Sequence, residues 1–117
     1  MTSTIEQRVR DLQDYIASGR VLEAMEEFYA EDVVMQENLN EPCAGRSANV
    51  AREREWLETV KEFRSFEVLA LGTEGDVSFV ESAMSYLDRG GNEVSLTQVS
   101  RARWEDGRIV HERFYHG

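Results

Sequence analysis

The chain has 117 residues, which is enough for one domain and too few for two. Its formal net charge of −10 disfavours nucleic acid and anionic membrane surfaces as partners, because like charges repel each other. The single cysteine, Cys43, excludes an internal disulfide and a metal site built from cysteines alone.

The first four residues lead directly into a charged segment, without the apolar core of a signal peptide. No apolar run approaches the roughly 18 residues that a membrane-spanning helix needs. We therefore expect a cytoplasmic location.

Two helices are predicted at the start of the chain. Residues 5–17 carry apolar side chains at steps of three and four, which places them on one stripe of a helix that Thr4 can cap. After a break at 18–20, residues 21–29 show the same helical spacing. Residues 33–35 then give a short strand signal.

A loop over residues 38–45, which contains the only proline, precedes a third predicted helix. This helix is expected to run from about Ser47, which can serve as its N-cap, to about Phe63. The charged run at 52–55 is expected to be its solvated face.

Four extended runs follow, at residues 66–71, 77–87, 93–104 and 108–116. Each turn between them contains glycine, which tolerates the positive φ of tight hairpins. Three helices followed by an antiparallel meander predict an α+β fold, with the helices packed on one face of a curved sheet.

Several phrases of this chain resemble the NTF2-like superfamily, and in particular its SnoaL-like and ketosteroid isomerase-like domains. They are residues 28–34, where a helix passes into a strand, 45–47 at the start of the third helix, and 104–110 and 113–115 in the last hairpin. The resemblance covers the whole chain and implies a single domain over residues 1–117, shaped as a cone of three N-terminal helices on a curved, mostly antiparallel β-sheet.

This resemblance implies a pocket for a small, mostly apolar molecule, but it does not name a reaction. The fold hosts isomerases, cyclases, dehydratases, epoxide hydrolases and binding subunits without catalysis. Comparison with the ketosteroid isomerases implies that Glu37 is a general base and that Tyr15 is an oxyanion-hole donor. Ser100 stands where those enzymes carry an aspartate, which puts steroid isomerisation itself in doubt.

Strand alternation separates the side chains that face the pocket from those on the open face of the sheet. The resemblance places three sets toward the pocket: Val110, Glu112, Phe114 and His116; Val94, Leu96, Gln98, Ser100 and Ala102; and Val80, Ser82, Met84 and Tyr86. The open face is expected to carry Val77, Phe79, Glu81, Val99, Arg101, Arg103, Ile109, His111, Arg113 and Tyr115.

The candidate catalytic residues are Glu37, Tyr15 and His116. A carboxyl group at an apolar wall has a raised pKa and can carry a proton near neutral pH, and histidine titrates in the same range. The alternatives are an exposed glutamate at a loop edge, a tyrosine at the edge of the core and a histidine in a frayed strand end. The candidate ligand-binding residues are Ser100, Gln98, Glu112, Met84, Tyr86 and Phe114.

No cofactor and no metal are expected, because the sequence has no glycine-rich phosphate loop and its two histidines lie on opposite faces of one strand. Two functions stay open. One is a cofactor-free acid–base enzyme of the isomerase, cyclase or dehydratase type. The other is a non-catalytic binding or association domain whose pocket is open or filled by Met84, Tyr86 and Phe114. The mixture of apolar residues and arginines on the open face predicts a homodimer packed through it.

Overall fold

The helices and strands follow one another in the order that the sequence predicts. In the computed structural model, which describes residues 4–117, α1 spans Ile5–Ala17, α2 spans Val21–Phe28 and α3 spans Arg46–Thr59. The strands are β1 (Tyr29–Glu37), β2 (Cys43–Ala44), β3 (Val60–Glu74), β4 (Val77–Asp88), β5 (Glu93–Glu105) and β6 (Arg108–His116). Residues 1–3, which the prediction of no signal-peptide core includes, lie outside the described residues.

The six strands form one mixed sheet in the order β2-β1-β6-β5-β4-β3. All neighbouring pairs are antiparallel except β1 and β6, which run parallel. Three helices against this sheet confirm the predicted α+β cone. Asp106 and Gly107 both have positive φ, at 53° and 78°, as the predicted tight turn between β5 and β6 requires.

The helices cover one end of the concave face and form the core there. Thr4 caps α1 as predicted, because its Oγ1 accepts a hydrogen bond from the Gln7 backbone N at 3.1 Å. Phe28 of α2 and Val33 of β1 are almost completely buried. Trp104 of β5 is buried beside them, and its indole N–H donates to the Ser78 hydroxyl at 2.9 Å.

The third helix is shorter than predicted, because α3 ends at Thr59 and Phe63 lies in β3. Two β-bulges, between Val60 and Glu62 and between Phe63 and Ser65, each insert one extra residue into β3. As a result Val60, Phe63 and Phe66 share one face of the strand at steps of three. Apolar residues at steps of three are also typical of a helix, so the sequence predicts that α3 continues to Phe63.

A β-bulge also changes the orientation of Ile109, which the sequence predicts on the open face. Trp104 pairs with Ile109 while Arg103 pairs with His111, so Val110 is the extra residue of a bulge. The bulge turns Ile109 into the core, where it is fully buried. Strict alternation is therefore wrong for this end of β6.

The start of α3 also differs from the prediction. The N-cap is Gly45, with a φ of 96°, and no side chain caps the helix. Ser47 lies inside the helix and is exposed. A positive φ at this position favours glycine, which explains why the cap falls two residues earlier.

Within residues 4–117, no helix is long and apolar enough to cross a membrane. The cellular location stays a prediction.

Phe28→Ala is expected to lower the free energy of unfolding by about 3–5 kcal/mol, because it leaves a large cavity in the core. Leu39→Ala serves as the control, since Leu39 is 85% exposed, and should change stability by less than about 0.5 kcal/mol. Urea unfolding followed by tryptophan fluorescence measures both. A loss below about 1 kcal/mol for Phe28→Ala would contradict the core described above.

Candidate functional site

A cavity of about 760 Å³ lies between the helices and the concave face of the sheet. Its volume is in the range of sites for small organic molecules. The helices and β3 supply mostly apolar lining residues: Leu12, Ile16, Val21, Met25, Trp56, Phe63 and Phe66. Most polar side chains come from β1, β5 and β6, which form the polar side of the cavity, and α3 adds Asn49, Arg52 and Glu53.

Glu112 lies on the polar side, on the face of β6 that the sequence predicts to point inward. Its side chain is only 3% exposed. The Tyr29 hydroxyl of β1 donates a hydrogen bond to Oε1, and the Ser100 hydroxyl of β5 donates to Oε2 at 2.5 Å. Each carboxyl oxygen thus receives a donor from a different neighbouring strand.

Burial raises the pKa of Glu112 from its ordinary value of 4.5 to about 7. The hydrogen bonds from Ser100 and Tyr29 oppose this shift because they stabilise the carboxylate, whereas the charges of Glu37 and Glu53 add to it. The pKa of Tyr29 is raised well above its ordinary value, first by burial and then by the neighbouring Glu112, so the phenol keeps its proton. The pKa of Glu112 thus lies near neutral pH, and Tyr29 acts as a hydrogen-bond donor to it.

Glu37 and His116 form a second pair on the same side of the cavity. The Glu37 Oε2 lies 2.8 Å from the His116 Nε2, and both side chains are partly exposed. Asn38 fixes the end of β6 beside them, because its Oδ1 accepts from the His116 backbone N at 2.9 Å and its carbonyl accepts from the Arg113 Nε at 2.8 Å. Both predicted residues thus line the cavity, at its solvent-exposed edge.

Gln98, Met84 and Phe114 also line the cavity, as the inward faces of β5, β4 and β6 predict. Ser100 lines it as well, with its hydroxyl directed to Glu112. The structure therefore brings seven of the nine predicted site residues to one cavity: Glu37, His116, Ser100, Gln98, Glu112, Met84 and Phe114.

Tyr15 and Tyr86 are not among the residues that line the cavity. The Tyr15 ring packs edge-on against Phe28 at 5.1 Å, and the Arg20 guanidinium covers it at 4.0 Å. Tyr86 is buried behind Trp56, with ring centroids 5.4 Å apart, and its hydroxyl accepts from the Trp56 indole N–H at 3.4 Å. Both tyrosines pack against a neighbouring aromatic ring, and their roles at the site stay predictions.

Tyr29, Asn49 and Glu53 are among the lining residues that sequence reasoning missed. In the sequence, Tyr29 fits the helical spacing of α2. In the structure it is the first residue of β1, and its side chain reaches Glu112. Glu53 was assigned to the solvated face of α3, yet it is partly buried. The available signal was helical spacing, because Asn49, Glu53 and Trp56 follow at steps of four and three and so share one face.

A family model described as the SnoaL-like domain matches residues 9–112 of this chain. No curated protein sequence matches this chain.

Solved structures share the fold over nearly the whole chain. An NTF2-like protein of unknown function from Burkholderia pseudomallei is 20% identical, with a TM-score of 0.84 over 99% of this chain and 92% of its own. A protein from Mesorhizobium loti, described as a candidate SnoaL-like polyketide cyclase, is 21% identical, with a TM-score of 0.80 over 97% and 99%. An LEH-like epoxide hydrolase from M. tuberculosis is 16% identical, with a TM-score of 0.79 over 97% and 82%. At these identities the likeness shows the fold.

Glu112 should make the stability of the protein depend on pH. Its pKa of about 7 in the folded protein exceeds the value of about 4.3 expected in an unfolded chain. The stabilisation from the protonated group is therefore fully present below about pH 4 and is lost as the pH rises through about 7. The loss over this range is about 3 kcal/mol.

Urea unfolding of the wild type and of Glu112→Gln between pH 4 and 8 isolates this contribution, because the other titrating groups are common to both proteins. We expect the unfolding free energy of the wild type to fall relative to that of the variant as the pH rises. Parallel curves would show that Glu112 titrates normally.

Proposed function

This chain belongs to the SnoaL-like domain family, and from the chemistry of its cavity we propose that it is a cofactor-free acid–base enzyme acting on a small, mostly apolar molecule. The observation that carries the proposal is Glu112, a buried carboxyl group in the wall of an open cavity, held by Tyr29 and Ser100. General acid–base catalysis works best when the pKa of the catalytic group lies near the working pH, and that of Glu112 is about 7.

The reaction that suits this group is proton transfer at a carbon atom next to a carbonyl. The Glu112 carboxylate removes the proton as the C–H bond breaks, and the electron pair moves to the carbonyl oxygen. The protonated Glu112 then returns the proton to a different carbon, or to a leaving hydroxyl group. Isomerisation, cyclisation and dehydration all contain such steps, and the protein supplies the only proton carrier that they need.

Neighbouring side chains have distinct roles in this proposal. Tyr29 and Ser100 are positioning residues, because their hydroxyls hold the carboxyl group. Gln98 lines the cavity, and its amide N–H groups suit stabilisation of the negative charge that develops on the substrate oxygen. The hydrogen-bonded Glu37 and His116 at the exposed edge suit proton exchange between the cavity and solvent.

Structural neighbours support a reaction of this class. Their names include a candidate polyketide cyclase, an epoxide hydrolase and a candidate isomerase from Bacillus subtilis. The alternative is a non-catalytic binding or association domain whose pocket is open or filled by side chains. The open cavity of about 760 Å³ argues against the filled form, since Met84 and Phe114 line this space without closing it.

Deuterium exchange tests the proposal without knowledge of the natural substrate. The protein is incubated in D₂O with cyclohexanone, and with cyclohex-3-enone as an isomerisation probe, and exchange at the carbon beside the carbonyl is followed by NMR. We expect catalysed exchange that Glu112→Gln reduces by about 10²–10⁴-fold, because glutamine cannot accept the proton.

Two comparisons keep this test specific. Glu55→Gln changes an exposed glutamate of α3 outside the cavity and should leave the rate unchanged. Glu37→Gln tests the residue that the sequence predicts as the proton carrier, and a larger effect than that of Glu112→Gln would reassign the role to Glu37. No exchange above buffer with any ketone probe would favour the binding domain.

We also propose that the protein is a homodimer through the open face of the sheet. Phe79 and Tyr115 are 41% and 40% exposed on this face, and the Arg113 guanidinium covers the Tyr115 ring at 4.7 Å. Burial lowers the pKa of His111, and the positive charges of Arg101, Arg103 and Arg113 lower it further.

Charge on the open face is divided between its two halves. Register places Glu67 and Glu81 on the β3–β4 half, and Arg101, Arg103 and Arg113 on the β5–β6 half. A two-fold axis running along the strands lays the acidic half of one copy against the basic half of the other. Glu112 takes no part in this contact, because its carboxyl group is held by Tyr29 and Ser100 at the cavity.

Phe79→Glu should separate this dimer, because it places a charge at the centre of the apolar contact. Sedimentation at low micromolar concentration is expected to give twice the mass of one chain for the wild type and the mass of one chain for the variant. Leu39→Glu is the control, since Leu39 lies in the loop after β1. A wild-type species of single-chain mass would refute the dimer.

A further inference from the structure

The side of the cavity formed by α3 has its own set of polar groups, apart from Glu112. Asn49, Glu53 and Trp56 lie at steps of four and three on this helix, and all three line the cavity. We refer to these three residues as the α3 subsite. The proton chemistry proposed above does not use them.

Asn49 presents an unused hydrogen-bond acceptor. Its side chain is only 5% exposed, and its Nδ2 donates to the carbonyls of Cys43 at 3.0 Å and Gly45 at 2.8 Å. Two carbonyl acceptors fix the orientation of the amide, because only its nitrogen can donate to them. Among residues 4–117 no donor reaches its Oδ1, so this acceptor is free for a ligand in the cavity that Asn49 lines.

Glu53 adds a carboxylate one helical turn further along. It is partly buried, and in the described part of the chain no ion pair or hydrogen bond engages it. Burial and then the charge of Glu37 raise its pKa, while the adjacent Arg52 lowers it.

The charged and titratable groups around Glu53 are two carboxyl groups and two basic side chains. They are Glu37 of β1, Arg52 of α3, and Glu112 and His116 of β6. Glu37 already has His116 as its partner, and Arg52 is exposed. A positive charge in the cavity would therefore relieve repulsion between carboxylates that no buried cation of the described residues offsets.

Aromatic side chains complete the surroundings of this subsite. Trp56 lies on α3 itself, and Phe63 and Phe66 of β3 line the cavity beside it. Trp56 and Phe63 have ring centroids 5.9 Å apart. Aromatic rings attract ammonium groups through their negative faces, and more strongly where water is excluded.

We propose that the α3 subsite binds the protonated amino group of a small primary amine whose apolar body fills the rest of the cavity. The ammonium group donates hydrogen bonds to the Asn49 Oδ1 and the Glu53 carboxylate, and it has a third N–H that neither of them uses. The inference rests on the proposed function only in so far as the cavity must admit a ligand, and it narrows the substrate class from small apolar molecules to amines.

Three compounds with the same ring separate charge from shape: cyclohexylmethylamine, cyclohexylmethanol and cyclohexanecarboxylate. Binding of each to the full chain is measured by calorimetry or ligand-observed NMR at pH 7. We expect the amine to bind about tenfold more tightly than the alcohol, as one charge-assisted hydrogen bond provides. The carboxylate should bind more weakly than either.

Variants of α3 locate the effect. Glu53→Gln should weaken amine binding about tenfold and leave the alcohol within about twofold, because it removes the charge and keeps the shape. Glu55→Gln is the matched control on the exposed side of the same helix and should change neither. Asn49→Ala should also weaken the amine, and its thermal unfolding is recorded because it loses two backbone contacts.

Alcohol binding equal to or tighter than amine binding, or unchanged amine binding in Glu53→Gln, would overturn the inference. These outcomes differ from failure of the proposed function. Ketone exchange that depends on Glu112, without preference for the amine, rejects the amine subsite alone. Preference for the amine that depends on Glu53, without ketone exchange, supports the subsite and rejects the enzyme.

Discussion

A buried carboxyl group needs hydrogen-bond donors, and this requirement shapes the polar side of the cavity. Glu112 receives one donor from β1 and one from β5, the two strands on either side of β6. The three side chains meet only if the parallel and the antiparallel pairings of β6 have the correct register. The same arrangement keeps Tyr29 protonated and brings the pKa of Glu112 to about 7, so packing and chemistry depend on one contact.

Periodicity predicts much of this fold, and it is wrong where bulges change the spacing of side chains. The bounds of α1 follow from steps of three and four, and the hairpin after β5 follows from Asp106 and Gly107. The end of α3 could not be found in the same way, because the bulges in β3 give Val60 and Phe63 a helical spacing. Ile109 was misplaced for the related reason that Val110 is an extra residue in β6.

The orientation of strand side chains is easier to predict from sequence than their environment. Alternation groups Glu112, Phe114 and His116 on one face of β6, and all three line the cavity. It could not rank Glu112 above Glu37, because the difference lies in burial and in the donors from Tyr29 and Ser100, which are distant in sequence. Tyr15 has the spacing of a cavity residue on α1, but Phe28 of α2 lies against its ring, and only the packing of two helices reveals that.

The position of β6 has a consequence for synthesis of the chain. It pairs with β1, and the contact between Glu37 and His116 joins residues about 80 positions apart. The edges of β1 and β5 that β6 covers therefore stay unpaired until residues 108–116 leave the ribosome. Contacts of such sequence separation slow folding, and an open strand edge invites pairing with another molecule. Arg101 and Arg103 lie on β5 beside the gap, where their charges discourage such pairing.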